Sequence, residues 1–353
     1  MANTELSGFV GYWLPKVESE LRELLTRDDP AVAEHYQMMC YHFGWVDEHL
    51  RPAFTPAGKR LRPLLCLLAC AEVGGDPLQA MPAAVAIELL HNFSLIHDDI
   101  EDGDEQRRHR PTLWKLWGVP QAINSGDGLF SLARLGLWRL AERGVDPRVV
   151  IGLADLLDRT CLALCEGQFL DMHYEGRRDV SVAMYLAMIE RKTAALMACA
   201  MEVGARLGAS EDAALASTLA RCGRALGMAF QLRDDLLGIW SADALGKTPA
   251  GDLRRKKMTL PILHALEHAQ RADRDVLIAI YDTAGPAPEA EIVVALAALE
   301  RSGARERVRA ALGDAATTAR AALAEAAGEA PRARAAAAQL AALVEFVVSS
   351  AGS

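Results

Sequence analysis

The sequence lacks CxxC cysteine pairs, long apolar runs and an excess of positive charge. None of its seven cysteines forms a CxxC pair, so we predict reduced thiols in a cytoplasmic protein rather than zinc sites or disulfides. No run of about 18 uninterrupted apolar residues occurs, which predicts no membrane span. The net charge of −9 argues against nucleic acid as a partner. Residues 1–26 lack the basic-then-apolar pattern of a signal peptide, so we expect none.

The abundant residues favour helices. Hydrophobic residues make up 51% of the chain, which is ample for a large core. Ala, Leu, Arg and Glu dominate, whereas β-branched clusters are short and isolated. We therefore predict one all-α domain over residues 1–353, with the Ala-rich helices beyond Gly285 packed on it. Helical periodicity predicts the segments 15–25, 31–50, 61–73, 82–102, 120–143, 147–174, 180–207, 210–240 and 261–269.

An acidic motif ends the segment 82–102. Asp98, Asp99 and Asp102 follow a largely apolar run, and no Gly or Pro intervenes before Gly103. On a helix, Asp98 and Asp102 lie one turn apart on the same face. Clustered carboxylates destabilise a helix unless a cation lies among them, and oxygen ligands favour a hard ion such as Mg²⁺. The alternative is a solvated acidic helix end.

A second acidic pair, Asp234 and Asp235, lies farther along the chain. Cationic residues follow both motifs, namely Arg107 and Arg108 after the first and Lys247 and Lys257 after the second. Two acidic helix ends trailed by cations suit a diphosphate held between metal ions and basic side chains. The second motif makes a solvated helix end the weaker interpretation of the first.

These motifs resemble, in their order, those of the trans-isoprenyl diphosphate synthase (polyprenyl synthetase) family. The resemblance implies a single-domain orthogonal helical bundle of the isoprenoid synthase type around a central cavity. It also implies a homodimer, Mg²⁺ as cofactor, and isopentenyl diphosphate and an allylic prenyl diphosphate as substrates. The matching landmarks are Gly58-Lys59-Arg60-Leu61-Arg62-Pro63, His91, the first acidic motif with Arg107-Arg108, Gly167-Gln168, Lys192-Thr193, Gln231, and the second acidic motif with its lysines.

The resemblance also implies roles for individual residues. The metal ligands are Asp98, Asp99, Asp102, Asp234 and Asp235. The residues that bind isopentenyl diphosphate are Gly58, Lys59, Arg62, His91 and Arg108. The residues that bind the allylic diphosphate are Arg107, Lys192, Thr193, Gln231, Lys247 and Lys257, of which Lys192, Thr193 and Gln231 are also catalytic. For each group a plain alternative stays open: surface cations at a helix start, a core histidine, a structural amide or a solvated basic loop.

The chemistry implied by the family is ionisation, condensation and elimination. Magnesium ions held by Asp98, Asp102 and Asp234 neutralise the departing diphosphate, and the pocket excludes water from the allylic cation. The double bond of isopentenyl diphosphate then attacks, and a proton is lost. Phe93, five residues before Asp98, and the small Ser94 beside it are the residues expected to set chain length. An aromatic at this position resembles geranylgeranyl-type enzymes, which favours a C20 product over C15.

Three positions depart from the family pattern. Gly238 stands where the family has a third aspartate, and His109 and Lys256 stand where it often has glycine. A class I terpene cyclase is one alternative function, but it would carry an Asn/Asp–Ser/Thr–Glu metal motif in place of Asp234 and Asp235. A non-catalytic subunit of a heteromeric prenyl synthase is the other, and Gly238 is its only support.

Overall fold

A computed structural model describes residues 2–55, 58, 60–209, 212–240, 250–283, 285–327 and 331–349. Two of the predicted ligands, Lys59 and Lys247, lie outside these residues. The predicted all-α fold is confirmed, since the only strands in the described residues form one short hairpin of β1 (Gln106–Arg107) and β2 (Arg110–Pro111). The helices are α1 (Ala2–Leu24), α2 (Ala33–His42), α3 (Leu61–Glu72), α4 (Pro77–Glu101), α5 (Leu113–Trp117), α6 (Val119–Glu142), α7 (Pro147–Tyr174), α8 (Val182–Ile189), a π-helical turn (Glu190–Ala194), α9 (Ala195–Gly208), α10 (Ala213–Trp240), α11 (Gly251–Arg254), α12 (Leu260–His268), α13 (Arg271–Asp282), α14 (Glu289–Arg301), α15 (Ala304–Ala326) and α16 (Pro331–Ser349).

The chain forms two compact units. Unit 1 comprises Met1–Leu162, Leu196–Ala220 and Glu325–Leu340, and unit 2 comprises Ala163–Ala195, Arg221–Ala324 and Ala341–Ser353. The single domain predicted over the whole chain stays a prediction. Within the described residues, no helix has both the length and the hydropathy to cross a membrane.

The core of unit 1 is built on α3 and α4. In α3 every residue from Pro63 to Glu72 is buried, and α4 is buried from Ala80 to Leu90. Helices that are apolar on all sides belong in a core rather than on a surface. This central position of α4 holds its C-terminal end, with Asp98 and Asp99, in a fixed place.

Helix α4 begins five residues earlier than the predicted start at Pro82. Asp76 caps the helix, since its carboxylate accepts a hydrogen bond from the backbone N–H of Leu78 at 3.1 Å. Pro82 has no N–H to offer to the carbonyl of Leu78, which would ordinarily accept a helical bond from it. The Arg143 guanidinium donates to that carbonyl at 2.9 Å instead. The helix therefore tolerates an internal proline because a side chain replaces the missing donor.

Other predicted boundaries also differ. Helix α1 starts at Ala2 and contains Pro15, and α2 ends at His42 rather than at residue 50. The predicted helix 180–207 is interrupted by the π-helical turn Glu190–Ala194. Such turns often occur at functional sites, and this one contains Lys192 and Thr193.

The core of unit 2 is a cluster of small and branched side chains from α10 to α15. Its larger members are fully or almost fully buried, and Trp240, Met258 and Tyr281 pack against it. This cluster supports the part of α10 that carries the second acidic motif. Its larger aliphatic members are Ile239, Leu253, Ile262, Leu277, Ile280, Ile292 and Leu299.

Candidate active site

The first acidic motif ends α4, and β1 places an arginine beside it. Asp99 is 3% exposed and accepts a hydrogen bond from Nε of Arg107 at 2.7 Å. The carboxylate of Asp98 lies 3.6 Å from the same guanidinium. Burial raises the pKa of Asp99 to about 6, although Arg107 acts in the opposite direction. Asp99 is therefore buried in unit 1, while Asp98 and Asp102 are partly exposed at the helix end.

The hairpin after this motif turns through two left-handed residues, Arg108 with φ 53° and His109 with φ 61°. Two successive positive φ angles characterise the type I′ turn, in which glycine is strongly favoured. This geometry explains why glycine suits the position that His109 fills here. The Arg108 guanidinium lies against Gly58, where an added Cβ would come within 3.0 Å of it. Gly58 and Arg108, predicted to share one ligand, are thus in contact.

Arg62 and His91, two more predicted ligands of isopentenyl diphosphate, are paired. The guanidinium of Arg62 lies 3.0 Å from Nε2 of His91. Burial, with the charges of Arg62, Arg108 and Arg107, holds the pKa of His91 well below its usual range, so the imidazole is neutral. Desolvation lowers the pKa of Arg62 to about 10 and, with help from Arg60 and Arg107, lowers that of Arg108 to about 10. A diphosphate would relieve this crowding of positive charge.

Arg60, in the same sequence motif, has a different position. It is 4% exposed, adopts φ 47°, and pairs with Glu18 at 2.7 Å and with Glu88 at 3.1 Å. Because both partners are carboxylates of other helices, Arg60 fixes the start of α3 to α1 and α4. The sequence gives no signal that separates this arginine from its basic neighbours.

A pocket with about 360 Å³ of empty volume, open to solvent, lies beside the hairpin. Sequence reasoning missed several of its residues, including His42, whose pKa is held well below its usual range by burial and by Arg108, Arg107 and Arg60. Arg110 donates hydrogen bonds to the carbonyls of Tyr41 and Val46 at 3.0 and 2.8 Å. The lining residues are Tyr41, His42, Thr55, Asp99, Arg107, Arg108, Arg110, Pro111, Thr112 and Leu113.

The two predicted chain-length residues lie on the last turns of α4. The Phe93 ring packs against Phe130 of α6, with centroids 5.4 Å apart, and against His97, with centroids 4.8 Å apart. The Ser94 hydroxyl donates to the carbonyl of His91 at 2.8 Å. Phe93 therefore lies at the contact between α4 and α6.

In unit 2 the π-helical turn carries Lys192 and Thr193, and Thr193 contacts a third predicted allylic residue, Gln231. The Thr193 hydroxyl donates to Oε1 of Gln231 at 3.0 Å, and Nζ of Lys192 donates to Asp171 at 2.5 Å. Sequence reasoning missed Asp171, although it lies one turn after the recognised Gly167-Gln168 pair. A Cβ on Gly167 would lie 2.3 Å from the backbone nitrogen of Lys192. Only glycine allows α7 and the turn to approach this closely.

The second acidic motif has one buried and one partly exposed carboxylate. Asp235 is 1% exposed and accepts bonds from the Tyr185 hydroxyl at 2.7 Å and from Nε2 of Gln231 at 3.3 Å. Burial raises the pKa of Asp235 to about 8; Asp252 and Asp234 add to the rise, while Tyr185 and Gln231 oppose it. Asp234 is 30% exposed at its side chain. Nothing in the sequence pointed to Tyr185.

Gly238 stands where the family has a third aspartate, and the space left by its missing side chain is filled by another carboxylate. A Cβ built on Gly238 would lie 2.0 Å from Oδ2 of Asp252, which belongs to α11. The Asp252 carboxylate therefore occupies the space into which a side chain at position 238 would extend. The sequence shows Asp252 downstream of the motif, but spacing alone cannot place it there.

The predicted lysines of the loop after the second motif are described only in part. The carbonyl of Lys257 accepts a bond from the Tyr281 hydroxyl at 3.1 Å. Lys256 adopts φ 54°, which explains why glycine suits this position, and its Nζ donates to the carbonyl of Thr283 at 2.6 Å.

The donor chemistry of both motifs fits Mg²⁺. Among the described residues, no three His, Cys, Asp or Glu side chains converge as a ready-made metal site. Mg²⁺ is ordinarily held by one or two carboxylates together with substrate phosphates rather than by an all-protein cage. The first motif provides two partly exposed carboxylates, Asp98 and Asp102, and the second provides one, Asp234, with the Asp252 carboxylate packed at Gly238.

Known proteins match this chain over most of its length. The polyprenyl synthetase family profile matches residues 44–299. The (2E,6E)-farnesyl diphosphate synthase of Mycobacterium tuberculosis is 41% identical over 288 residues, which cover 81% of this chain and 78% of that protein. The geranylgeranyl pyrophosphate synthetase of Pyrococcus horikoshii has a TM-score of 0.86 at 32% identity, covering 99% of each chain. The polyprenyl synthase of Caulobacter crescentus, solved with calcium and isoprenyl diphosphate, has a TM-score of 0.80 at 28% identity, covering 99% of this chain and 98% of that one.

Proposed function

This chain belongs to the polyprenyl synthetase family and is a short-chain prenyltransferase; we propose that it condenses isopentenyl diphosphate with an allylic diphosphate. The allylic substrate is dimethylallyl, geranyl or farnesyl diphosphate, and the product is an all-trans prenyl diphosphate. Mg²⁺ is the proposed cofactor. Asp98 and Asp102 of unit 1 and Asp234 of unit 2 would hold it.

The observation that carries the proposal is the cationic group of unit 1 beside the first acidic motif. Arg62 contacts His91 at 3.0 Å, and the charges of Arg108 and Arg107 help to lower the pKa of His91. A neutral imidazole accepts from one guanidinium and leaves the remaining guanidinium donors for phosphate oxygens. A terpene cyclase has one diphosphate substrate and no need for a second anion site. Lys59 belongs to the proposed group on sequence grounds, as Lys247 and Lys257 belong to the allylic group.

In unit 2 the protein binds the allylic diphosphate, and polar side chains face the developing cation. Lys192 of unit 2 would provide positive charge for the leaving group, a role that the family resemblance also gives to Arg107, and Mg²⁺, when bound, supplies Lewis-acid neutralisation of the departing diphosphate. The oxygens of Thr193 and Gln231 are fixed by their mutual hydrogen bond at 3.0 Å. A pre-oriented dipole stabilises the cation without reorganisation during the reaction. The proposed reaction requires that water be excluded from this cation.

We further propose a C20 product. The relatives include both a farnesyl and a geranylgeranyl synthase, so similarity alone does not choose between C15 and C20. The support comes from Phe93, whose ring packs against Phe130, while Ser94 beside it is small. A chain that grows along α4 from Asp98 would meet this ring first.

A homodimer in the cytoplasm is proposed as well. Helix α6 exposes Ile123, Leu135 and Trp138, each between 41% and 56% exposed, on one side of the helix. Large apolar side chains grouped in this way commonly mark a protein interface. All seven cysteines are free thiols, as expected in a reducing compartment. Sedimentation of the purified protein tests the dimer.

The deciding experiment measures diphosphate release from an allylic substrate with and without isopentenyl diphosphate. A synthase releases diphosphate only when both substrates and Mg²⁺ are present. A cyclase releases it from the allylic substrate alone, and a non-catalytic subunit releases none. Either of the last two results overturns the proposed function.

A further inference from the structure

We propose that Arg110 and Tyr41 are positioning residues for the hairpin turn between β1 and β2. They hold this turn in the left-handed conformation in which it presents Arg108 to isopentenyl diphosphate. Neither residue is among the ligands predicted for the two substrates. The inference rests on the proposed function, because that function supplies the diphosphate, and it names the contacts that keep one of its ligands in place.

The first observation is that the turn consists of two residues in an unfavourable backbone conformation. Arg108 and His109 join β1 to β2, and their φ angles are 53° and 61°. A side chain disfavours this left-handed region, which is why asparagine and glycine are usual in a two-residue hairpin turn. The family often has glycine at position 109, so histidine there adds a cost. Such conformations persist only where the surrounding structure holds them.

The second observation is that Arg110, directly after the turn, is bonded to α2 and to the segment that follows α2. Its Nη1 donates to the carbonyl of Tyr41 at 3.0 Å, and its Nη2 donates to the carbonyl of Val46 at 2.8 Å. The guanidinium carbon also lies 3.9 Å from the centroid of the Tyr41 ring. The rigid fork of an arginine can bind two acceptors at once, so these contacts fix both its position and its orientation.

Tyr41 holds the same strand by a separate contact. Its hydroxyl donates to the carbonyl of Pro111 at 2.8 Å. Tyr41 is 3% exposed, and its ring packs edge-on against Trp117 with centroids 5.1 Å apart. The path of β2 is therefore fixed at both of its residues. At the other end of the turn, Nε of Arg107 in β1 donates to Asp99 at 2.7 Å. Both ends of the turn are thus bonded to helices of unit 1.

The conformation of the turn decides where the Arg108 guanidinium lies. In this conformation it contacts Gly58, and Arg108 lines the same pocket as Arg110 and Tyr41. Another conformation of the turn would move this guanidinium away from Gly58. The apparent affinity for a ligand falls with the fraction of the protein that is in the binding-competent conformation. Arg110 and Tyr41 therefore raise the affinity for isopentenyl diphosphate by acting through Arg108.

The test measures kcat and the KM for each substrate in single and double variants of the full-length protein. Arg110→Ala should raise the KM for isopentenyl diphosphate about tenfold, and change kcat and the allylic KM less than about twofold, because only the fraction with a competent turn falls. Adding His109→Gly should restore this KM to within about threefold of wild type, since glycine adopts a positive φ without the side-chain cost. Tyr41→Phe removes one hydrogen bond and should raise the same KM about threefold.

Two matched controls accompany these variants. His109→Ala in the Arg110→Ala protein removes the imidazole but keeps the cost of a left-handed side chain, so it should not restore the KM. Arg159→Ala removes an arginine of the same unit whose side chain is 76% exposed and paired with Asp155, and its KM values should equal those of wild type. Circular dichroism checks that each variant is folded. Tyr41→Phe keeps the buried ring, so it provides the test if Arg110→Ala does not fold.

The outcomes separate this inference from the proposed function. An unchanged KM for isopentenyl diphosphate in Arg110→Ala and Tyr41→Phe overturns the inference. A raised KM that His109→Gly does not lower also overturns it, because Arg110 would then bind the substrate directly. Equal restoration by His109→Ala overturns it as well, since the backbone would not be responsible. A wild-type protein that transfers no prenyl group overturns the proposed function instead. The Kd for isopentenyl diphosphate, measured by titration calorimetry on the same variants, then decides the inference separately.

Discussion

The two acidic motifs look alike in sequence but are completed differently. In each motif the second aspartate is buried and bonded inside the unit: Asp99 to Arg107 at 2.7 Å, and Asp235 to Tyr185 at 2.7 Å. In each, the first aspartate is partly exposed. The first motif has its own third carboxylate, Asp102, whereas the second has a glycine with Asp252 packed against it.

The two motifs also differ in the residue that is bonded to the buried carboxylate. Asp99 is paired with a cation, and its pKa is raised only to about 6; Asp235 faces a neutral hydroxyl and nearby carboxylates, and its pKa is raised to about 8. An opposite charge offsets part of the cost of burying a carboxylate, which a neutral donor does less well. An acidic motif in a sequence therefore does not tell which of its members face a ligand.

Removing the partly exposed first aspartate of either motif should have the largest effect on activity. Asp98→Ala and Asp234→Ala should each lower kcat by about a hundredfold or more, because each removes a ligand from the charge that stabilises the leaving group. The helical circular-dichroism signal should be kept. Steady-state kinetics across Mg²⁺ concentrations check this. Near-full activity of either variant at low Mg²⁺ would show that its motif does not hold the metal.

The second-largest expected effect is on KM. Substitutions in the two units should raise the KM of different substrates. Arg62→Ala should raise the KM for isopentenyl diphosphate about 10- to 100-fold, since a charge-assisted bond to phosphate contributes about 1.5–3 kcal/mol. Lys192→Ala should raise the KM for the allylic diphosphate by a similar factor. Arg191→Ala is the matched control, because this neighbour of Lys192 is 43% exposed and lies 3.5 Å from Glu166. An effect of Arg62→Ala confined to the allylic substrate contradicts the assignment.

Substitutions in the turns of α4 that precede Asp98 should change the rate less than those above, but they should change the length of the product. Phe93→Ala should lengthen the product, since removing a ring leaves space that its neighbours fill only in part. Ala86→Phe should shorten it if the chain reaches that depth. Phe169→Ala, an exposed aromatic of α7, serves as the control. Product chromatography decides, and unchanged length in both variants would place the end of the chain elsewhere.

The smallest effect is on stability and concerns Asp235. Its folded pKa is about 8, against about 3.9 in an unfolded chain, so the folded protein holds an extra proton between these values. The stability contributed by that proton is present at low pH and is lost as pH rises through 8. Asp235→Asn does not titrate, so its melting temperature relative to wild type should rise by a few degrees between about pH 5 and pH 9. Melting curves in EDTA measure this, and a constant difference across that range contradicts it.

His91 should give the opposite pH trend in unit 1. Its folded pKa lies well below the usual value of about 6.5, so stability falls as pH drops through that value. Asp235 and His91 should therefore contribute opposite pH trends to stability.

Local patterns determined a large part of this protein. Helical periodicity and the near absence of β-branched runs predicted the all-α fold, and the order of the acidic and basic motifs predicted the family. These signals are short in range, since a few neighbouring residues carry them. Boundaries were less well predicted where a distant side chain intervened. The start of α4 depends on Arg143, which bonds the carbonyl that Pro82 leaves without a donor.

Only the tertiary structure decided which members of each motif face inward and which contacts complete the site. Asp99 and Asp98 are neighbours in sequence, yet one is buried against Arg107 and the other is partly exposed. Tyr185, Asp171 and Asp252 reach the site from other helices or turns, at separations that no local pattern encodes. A sequence motif fixes residue type and spacing along one helix, whereas burial and the choice of partner depend on the elements that pack against it.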